Sequence, residues 1–154
     1  MNVNIHQSEI DHAGQGLFVN NNHTFRKGDI ICPYEGELVE YDIATDLTYE
    51  SDYRFEVKEN EWVIDAKDTE TFGKYANDPI DEDLYNCHLI ANNNLTALLI
   101  ATKRIGPGKE IYVEYDENFW HHYDHFDSLS QDHKSDLYER GSAEFRDWID
   151  LNYT

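Results

Sequence analysis

Basic residues are scarce in this 154-residue chain: 12 Lys plus Arg stand against 32 Asp plus Glu, a formal charge of −20. A surface of that sign repels nucleic-acid phosphates and anionic lipid headgroups, and it draws cationic partners by fast, salt-sensitive association. Direct DNA or RNA binding and membrane association are therefore excluded as expectations. Cysteine is nearly absent. Cys32 and Cys87 are too few for a disulfide framework and are not spaced as a zinc site, so reduced thiols are expected, at least one of them buried. No apolar run reaches the roughly 20 residues of a membrane span, and MNVNIHQSEIDHAGQG lacks the basic and apolar regions of a signal peptide. The expectation is a soluble intracellular protein. Nucleus, cytoplasm and delivery into a host cell all stay open.

Several catalytic and cofactor signatures are missing too. Gly14-Gln15-Gly16 lacks the third glycine and following helix of a dinucleotide fold, and it lacks the Lys-Ser/Thr of a phosphate loop. Two glycines around one residue do leave a backbone that a ligand can approach closely, although a plain turn needs no ligand. No Ser-His-Asp or Cys-His arrangement stands out. His121, His122 and His125, with Asp124 and Asp127, have one spacing compatible with a shared metal, but nothing further supports it and a solvated, pH-sensitive face is the preferred reading. No metal is expected.

What is abundant is tyrosine, 11 in all, and short apolar stretches cut by Gly, Asn and Pro. Residues 3–5 and 17–19 read as strands around a glycine turn. Residues 29–39 read as a strand bent or bulged at Pro33 and Gly36, and 41–49 as one or two helical turns. Residues 53–57 and 62–65 form a hairpin candidate, 69–75 a helical turn, 79–85 an acidic loop, and 86–91 with 95–103 a second hairpin across the asparagines of 92–94. Alternation over 111–115 predicts a half-buried strand that delivers Tyr115 at its end, with Phe119 and Trp120 beyond it. After Trp120 the character changes: Ser142 can cap a helix with Phe145, Trp148 and Ile149 on one face. Two units follow, 1–120 and an acidic helical extension at 121–154, through which a homodimer stays open. Between residues 35 and 61, acids far outnumber Arg54 and Lys58, which creates a local negative field.

Taken in order, these pieces resemble a SET-domain protein lysine methyltransferase. The stretch Gly14-Gln15-Gly16-Leu17-Phe18 is similar to the family's first cofactor turn. Lys27-Gly28-Asp29-Ile30 with Tyr34-Glu35-Gly36-Glu37 looks like its lysine-glycine strand and Tyr-x-Gly-Glu turn. Tyr53-Arg54-Phe55 and Val63-Ile64-Asp65-Ala66 look like two further strands. Gly73-Lys74-Tyr75-Ala76-Asn77-Asp78 followed by Asn86-Cys87 resembles the Asn-His segment, and GKEIYVEYDENFW from Gly108 to Trp120 resembles the final tyrosine motif. Two departures stand out. The usual Asn-His pair is Asn77-Asp78 here, and an ionised Asp accepts hydrogen bonds but cannot donate them; the cysteine-rich zinc segment that follows many such domains is absent.

The resemblance implies a mainly β SET-domain fold of small, short-stranded sheets with a pseudoknot-like C-terminal threading, plus the helical extension. It implies a methyltransferase that uses S-adenosylmethionine on lysine side chains of basic proteins, histone tails foremost. Tyr115 and Tyr53 would be the catalytic residues, and Gly14, Gln15, Gly16, Asn77, Asp78, Phe119 and Trp120 would hold the cofactor. Tyr34, Tyr49 and Val113 would line the substrate channel, with the small Val113 admitting a more methylated product. The acidic field would attract the basic substrate. From another class, the competing expectation is a catalytically impaired SET-like module that binds basic peptides, motivated by Asp78.

Overall fold

In a computed structural model, the structure describes residues 1–81, 83–91, 94–113 and the backbone of 123–125. These residues are mainly β. Strands β1 (Val3–Gln7) and β2 (Gln15–Val19) pair antiparallel from Val3↔Val19 to Gln7↔Gln15. The long apolar run at 29–39 divides as Pro33 and Gly36 predict, into β3 (Ile30–Tyr34) and β4 (Glu37–Glu40), which join different sheets. A register shift between Ile30 and Cys32 adds the expected bulge. One helical turn follows, α1 (Tyr41–Ala44), whose end is fixed by Arg54 Nη1 donating to the Ala44 carbonyl at 2.6 Å.

Strands β5 (Arg54–Lys58) and β6 (Trp62–Asp65) form the predicted hairpin. Its turn places Asn60 at φ 58°, a conformation that asparagine tolerates. Strand β6 lies at the centre of a three-stranded sheet, β4-β6-β5, and Val63, Ile64 and Asp65 are all buried there. After a 3-10 turn at Gly73–Tyr75, β7 (Cys87–Ala91) and β8 (Ala97–Ala101) make the second hairpin. All five residues of β8 are buried, which suits a strand paired on both edges. Between β7 and β8, Leu95 takes a left-handed conformation (φ 60°). Its side chain packs on the core, which offsets the conformational cost of a non-glycine residue there.

Strand β9 (Tyr123–His125) runs parallel to β7 and completes a four-stranded sheet ordered β3-β8-β7-β9. The sheet thus recruits backbone beyond residue 120. Tyr115, Phe119, Trp120, His121, His122 and the expected helical tail from 126 onward lie outside the described residues.

One buried cluster joins the three sheets, with Leu17, Val19, Tyr34, Phe55, Val57, Leu89, Leu99 and Ile111 at its centre. The segment before Tyr115 departs from expectation. Through Val113 it forms single bridges, Glu110 antiparallel to Phe18 and Tyr112 parallel to Asn77, in place of a continuous strand. Local alternation reports which side chains are buried, not which neighbour the backbone bonds. Here the Ile111 N–H donates to the Leu17 carbonyl at 2.7 Å and the Val113 N–H to the Asn77 carbonyl at 2.9 Å, so the chain changes partners as it passes between them.

Candidate functional site

The turn entering β2 and the segment after the 3-10 turn meet. Asn77 Nδ2 donates to the Gln15 carbonyl at 2.8 Å across 62 residues. The two glycines of this turn differ in purpose. Gly14 has φ +72°, and a Cβ added there would meet nothing within 4 Å, so glycine serves the backbone conformation and leaves open space in front of it. Gly16 has no positive φ; a Cβ there would lie 2.2 Å from Glu110 Oε1. Close approach of a carboxylate accounts for that glycine.

Glu110 is 3 % exposed. Ser8 Oγ donates to its Oε1 at 2.6 Å, and the Glu9 N–H and the Tyr112 hydroxyl each donate to Oε2 at 2.9 Å. Burial, the hydrogen bond to Glu110 and the charges of Glu110 and Glu9 push the Tyr112 phenol up, so it stays a donor at neutral pH. Asn86 brackets the same segment: its Nδ2 donates to the Glu110 carbonyl at 3.0 Å and its Oδ1 accepts from the Tyr112 N–H at 2.9 Å. The Asn86-Cys87 pair was legible as a motif piece, but its bracketing role was not. Glu110 was legible only as one position of the final tyrosine motif, with no role attached, and nothing in the sequence singled out Ser8.

Asp78 follows Asn77 directly. Its Oδ1 accepts from the Tyr85 hydroxyl at 2.6 Å and from the Ile80 N–H at 2.8 Å. The second bond closes a turn over Pro79 and Ile80, where Ile80 takes φ 52°. In this position Asp78 acts as an acceptor, the one role open to an ionised carboxylate.

The tyrosines form a second constellation, linked to the first through Gly73, where an added Cβ would lie 2.8 Å from the Pro33 carbonyl oxygen and 3.2 Å from Tyr34 Cα. Tyr53 is gripped at both of its backbone polar groups. The Tyr34 hydroxyl donates to the Tyr53 carbonyl at 2.8 Å, while the Tyr53 N–H donates to Ser51 Oγ at 3.1 Å. Ser51 in turn donates to Asp65 Oδ1 at 2.6 Å, and the Tyr49 hydroxyl donates to Asp65 Oδ2 at 2.5 Å. Burial together with this bond and the charges of Asp65 and Glu37 raises the Tyr49 phenol to about 12. Tyr34 is 1 % exposed and stacks edge-on against Phe55. Tyr34 and Tyr49 border different cavities. Tyr34 borders an apolar one of about 460 Å³ with Pro33, Leu38, Ile64 and Leu98; Tyr49 borders an acidic one of about 490 Å³ with Glu37, Glu50, Asp65 and Asp68. Tyr34 and Tyr49 both bear on the backbone of Tyr53, Tyr34 directly and Tyr49 through Asp65 and Ser51. Lys74 Nζ lies 5.3 Å from the Tyr53 ring centroid and 5.4 Å from that of Tyr75, within cation–π range. Val113 is buried, with its N–H on Asn77.

Asp65 is the hub of this network. Burial alone would raise its carboxyl, but the hydrogen bonds from Ser51, Tyr49 and the Lys67 N–H, with the Lys67 charge, outweigh it and hold the group below its usual value. A depressed folded value contributes stability above the unfolded carboxyl range, near 4, that is lost as pH falls through the folded value. Asp65→Asn is thus expected to lower the urea midpoint at pH 7 and to flatten the decline of stability between pH 5 and 3. An unchanged acid limb would remove Asp65 as its source.

Both cysteines are free and buried. Burial, then the charge of Glu35, raises the Cys32 thiol to about 12, and burial with the neighbouring Cys32 raises Cys87. Neither is poised as a nucleophile. Among the described residues no helix is long and apolar enough to cross a membrane.

The model of the SET domain family matches residues 14–116. Among solved structures, an active polycomb repressive complex 2 in the stimulated state shares 24% identity at TM-score 0.62, over 75% of this chain and 15% of that one. An autoinhibited ctPRC2 bound to S-adenosylmethionine shares 24% at TM-score 0.63, over 76% and 15%. Chaetomium thermophilum Polycomb Repressive Complex 2 bound to GSK126 shares 26% at TM-score 0.63, over 76% and 16%. The chain thus spans about one-sixth or less of the length of those solved chains. No curated protein matches the sequence.

Proposed function

The chain belongs to the SET-domain family, and from that premise we propose that it is an S-adenosylmethionine-dependent methyltransferase acting on lysine side chains of basic proteins, with histone tails as the foremost substrate. The observation that carries this reading is the Asn77 bond to the Gln15 carbonyl. It assembles the glycine turn and the Asn-Asp segment, far apart in sequence, into one face.

The residues present suit the cofactor. Gly14 leaves open space beside a turn whose backbone Asn77 holds in place, so a ligand can approach the peptide groups of Gly14 and Gln15. In the proposal Gly14, Gln15, Gly16, Asn77 and Asp78 hold it, with Phe119 or Trp120 against its adenine. S-adenosylmethionine, when bound, supplies a methyl group carried on a sulfonium. Transfer to a lysine amine needs a neutral acceptor in line with that methyl more than it needs a strong base. Tyr115 orients the amine through its hydroxyl. In the proposal Tyr53 walls the lysine channel, its backbone held by Tyr34 on its carbonyl and through Ser51, Asp65 and Tyr49 on its N–H. Val113 leaves room around the amine, and the acidic cavity at Tyr49 lies within the negative field that draws a basic peptide. Residues 1–120 would carry the activity and 121–154 would be the extension.

Transfer of labelled methyl from S-adenosylmethionine to core histones, with mass spectrometry of the products, tests the reading. Modified lysines are expected. A second reading is favoured by one observation, the engagement of Asp78 Oδ1 by Tyr85 and Ile80: a module that binds basic peptides without catalysis. Calorimetry with S-adenosylmethionine separates the two, since the enzyme binds it and the module does not.

A further inference from the structure

We infer that Glu110 is a positioning residue for the cofactor turn, the buckle that sets residues 8–16 against residues 109–113. The inference rests on the proposed role of residues 14–16 in holding S-adenosylmethionine.

In a chain of 32 acidic residues, nearly all of the described carboxylates face water; Glu110, at 3 % exposure, does not. Burying a carboxylate is costly unless it is well hydrogen-bonded, so its partners indicate what the burial achieves. Two of the three donors, Ser8 Oγ and the Glu9 N–H, come from the start of the loop that leads to Gly14. Ser8 is held at both ends, because its N–H also donates to the Gly14 carbonyl at 2.8 Å. The loop's exit meets the same carboxylate, since Gly16 lies so close to Oε1 that no side chain fits. Tyr112 supplies the third donor from Glu110's own segment, which Asn86 fixes. The carboxylate thus touches the loop where it begins and where it ends, while Gly14 between them opens onto empty space. Such an arrangement sets the height and tilt of the turn without touching the ligand.

The test compares wild type, Glu110→Ala, Glu110→Gln and Ser8→Ala by cofactor calorimetry, by separate KM values for cofactor and acceptor protein, and by thermal melting. Glu110→Ala is expected to raise the cofactor Kd and KM by about tenfold or more, as loss of charged hydrogen bonds does, and to leave the acceptor KM and the kcat at saturating cofactor near wild type. Glu110→Gln should restore most of the loss: its oxygen accepts from Glu9 and Tyr112 while the Ser8 hydroxyl turns to accept from its amide. Ser8→Ala should shift the cofactor KM in the same direction by less, and it decides the matter if Glu110→Ala does not fold. Unchanged cofactor affinity in folded variants overturns the inference, as does a fall in kcat alone. Glu110→Gln as damaging as Glu110→Ala also overturns it, by making charge rather than tethering the active property. A wild-type chain that binds no cofactor overturns the underlying reading as well, a result distinct from these.

Discussion

Tyr115→Phe is expected to reduce methyl transfer to core histones by about a hundredfold or more, the loss that follows when a positioning contact at a reacting centre is removed. The substitution deletes one hydroxyl and keeps the ring, so packing is nearly preserved. Cofactor affinity should therefore stay at the wild-type value, because the proposed cofactor contacts at Gly14, Gln15, Asn77 and Asp78 are untouched. Initial rates with labelled S-adenosylmethionine, taken beside a calorimetric Kd, make the comparison. Full retained activity would sink the catalytic assignment of Tyr115. Lost activity accompanied by lost cofactor binding would move Tyr115 from the amine to the cofactor.

The second large effect concerns stability. Gly36 lies between β3 and β4, and a Cβ there would stand 2.3 Å from the Asp65 carbonyl oxygen, 2.5 Å from its carbon and 2.8 Å from the Ala66 nitrogen. All three obstacles are backbone atoms. They have little freedom to move, because Asp65 lies on the central strand of its sheet, opposite Glu37 on one side and Arg54 on the other. Overpacking in cores costs about 1–3 kcal/mol and sometimes more, and this site belongs at the upper end. Gly36→Ala should lower Tm by about 6–12 °C for a chain of this size, and Tyr53 should lose its fixed position along with the Asp65 network. Gly14→Ala is the control. It meets no atom within 4 Å, so only the strain of φ +72° acts, about 1–2 kcal/mol. Equal losses in the two variants would show that crowding at Gly36 is relieved locally.

Much of this architecture is legible in the sequence where one local signal suffices. Pro33 and Gly36 mark the passage from one sheet to another, and Lys58-Glu59-Asn60-Glu61 marks a hairpin. The apolar stretch within 95–103 was legible as the second arm of a hairpin, and the structure shows its strand at 97–101 fully buried. The SET-domain assignment was legible from the order of the pieces, and the family match over 14–116 agrees with it.

What the sequence hides is pairing at long range. Residues 111–113 alternate like a strand, yet they bond to Leu17, Asn86 and Asn77 in turn, and no local pattern encodes a change of partner. Glu110 reads as one position of the final tyrosine motif, and its burial shows only where three donors converge on it. Tyr34, Tyr49 and Tyr53 look alike as aromatic residues beside turns. Only the hydrogen bonds separate two that support from one that is supported.

The Ser8–Glu110 bond has a further consequence, for the order of folding. Its partners are 102 residues apart, and the neighbouring Val19 N–H waits for the carbonyl of Lys109. During synthesis the β1–β2 hairpin emerges first, but its loop cannot be locked until residue 110 has left the ribosome. Contacts of such separation are slow to form and leave apolar surface uncovered while the chain grows. The first stretch of the site to be made is thus among the last to be finished.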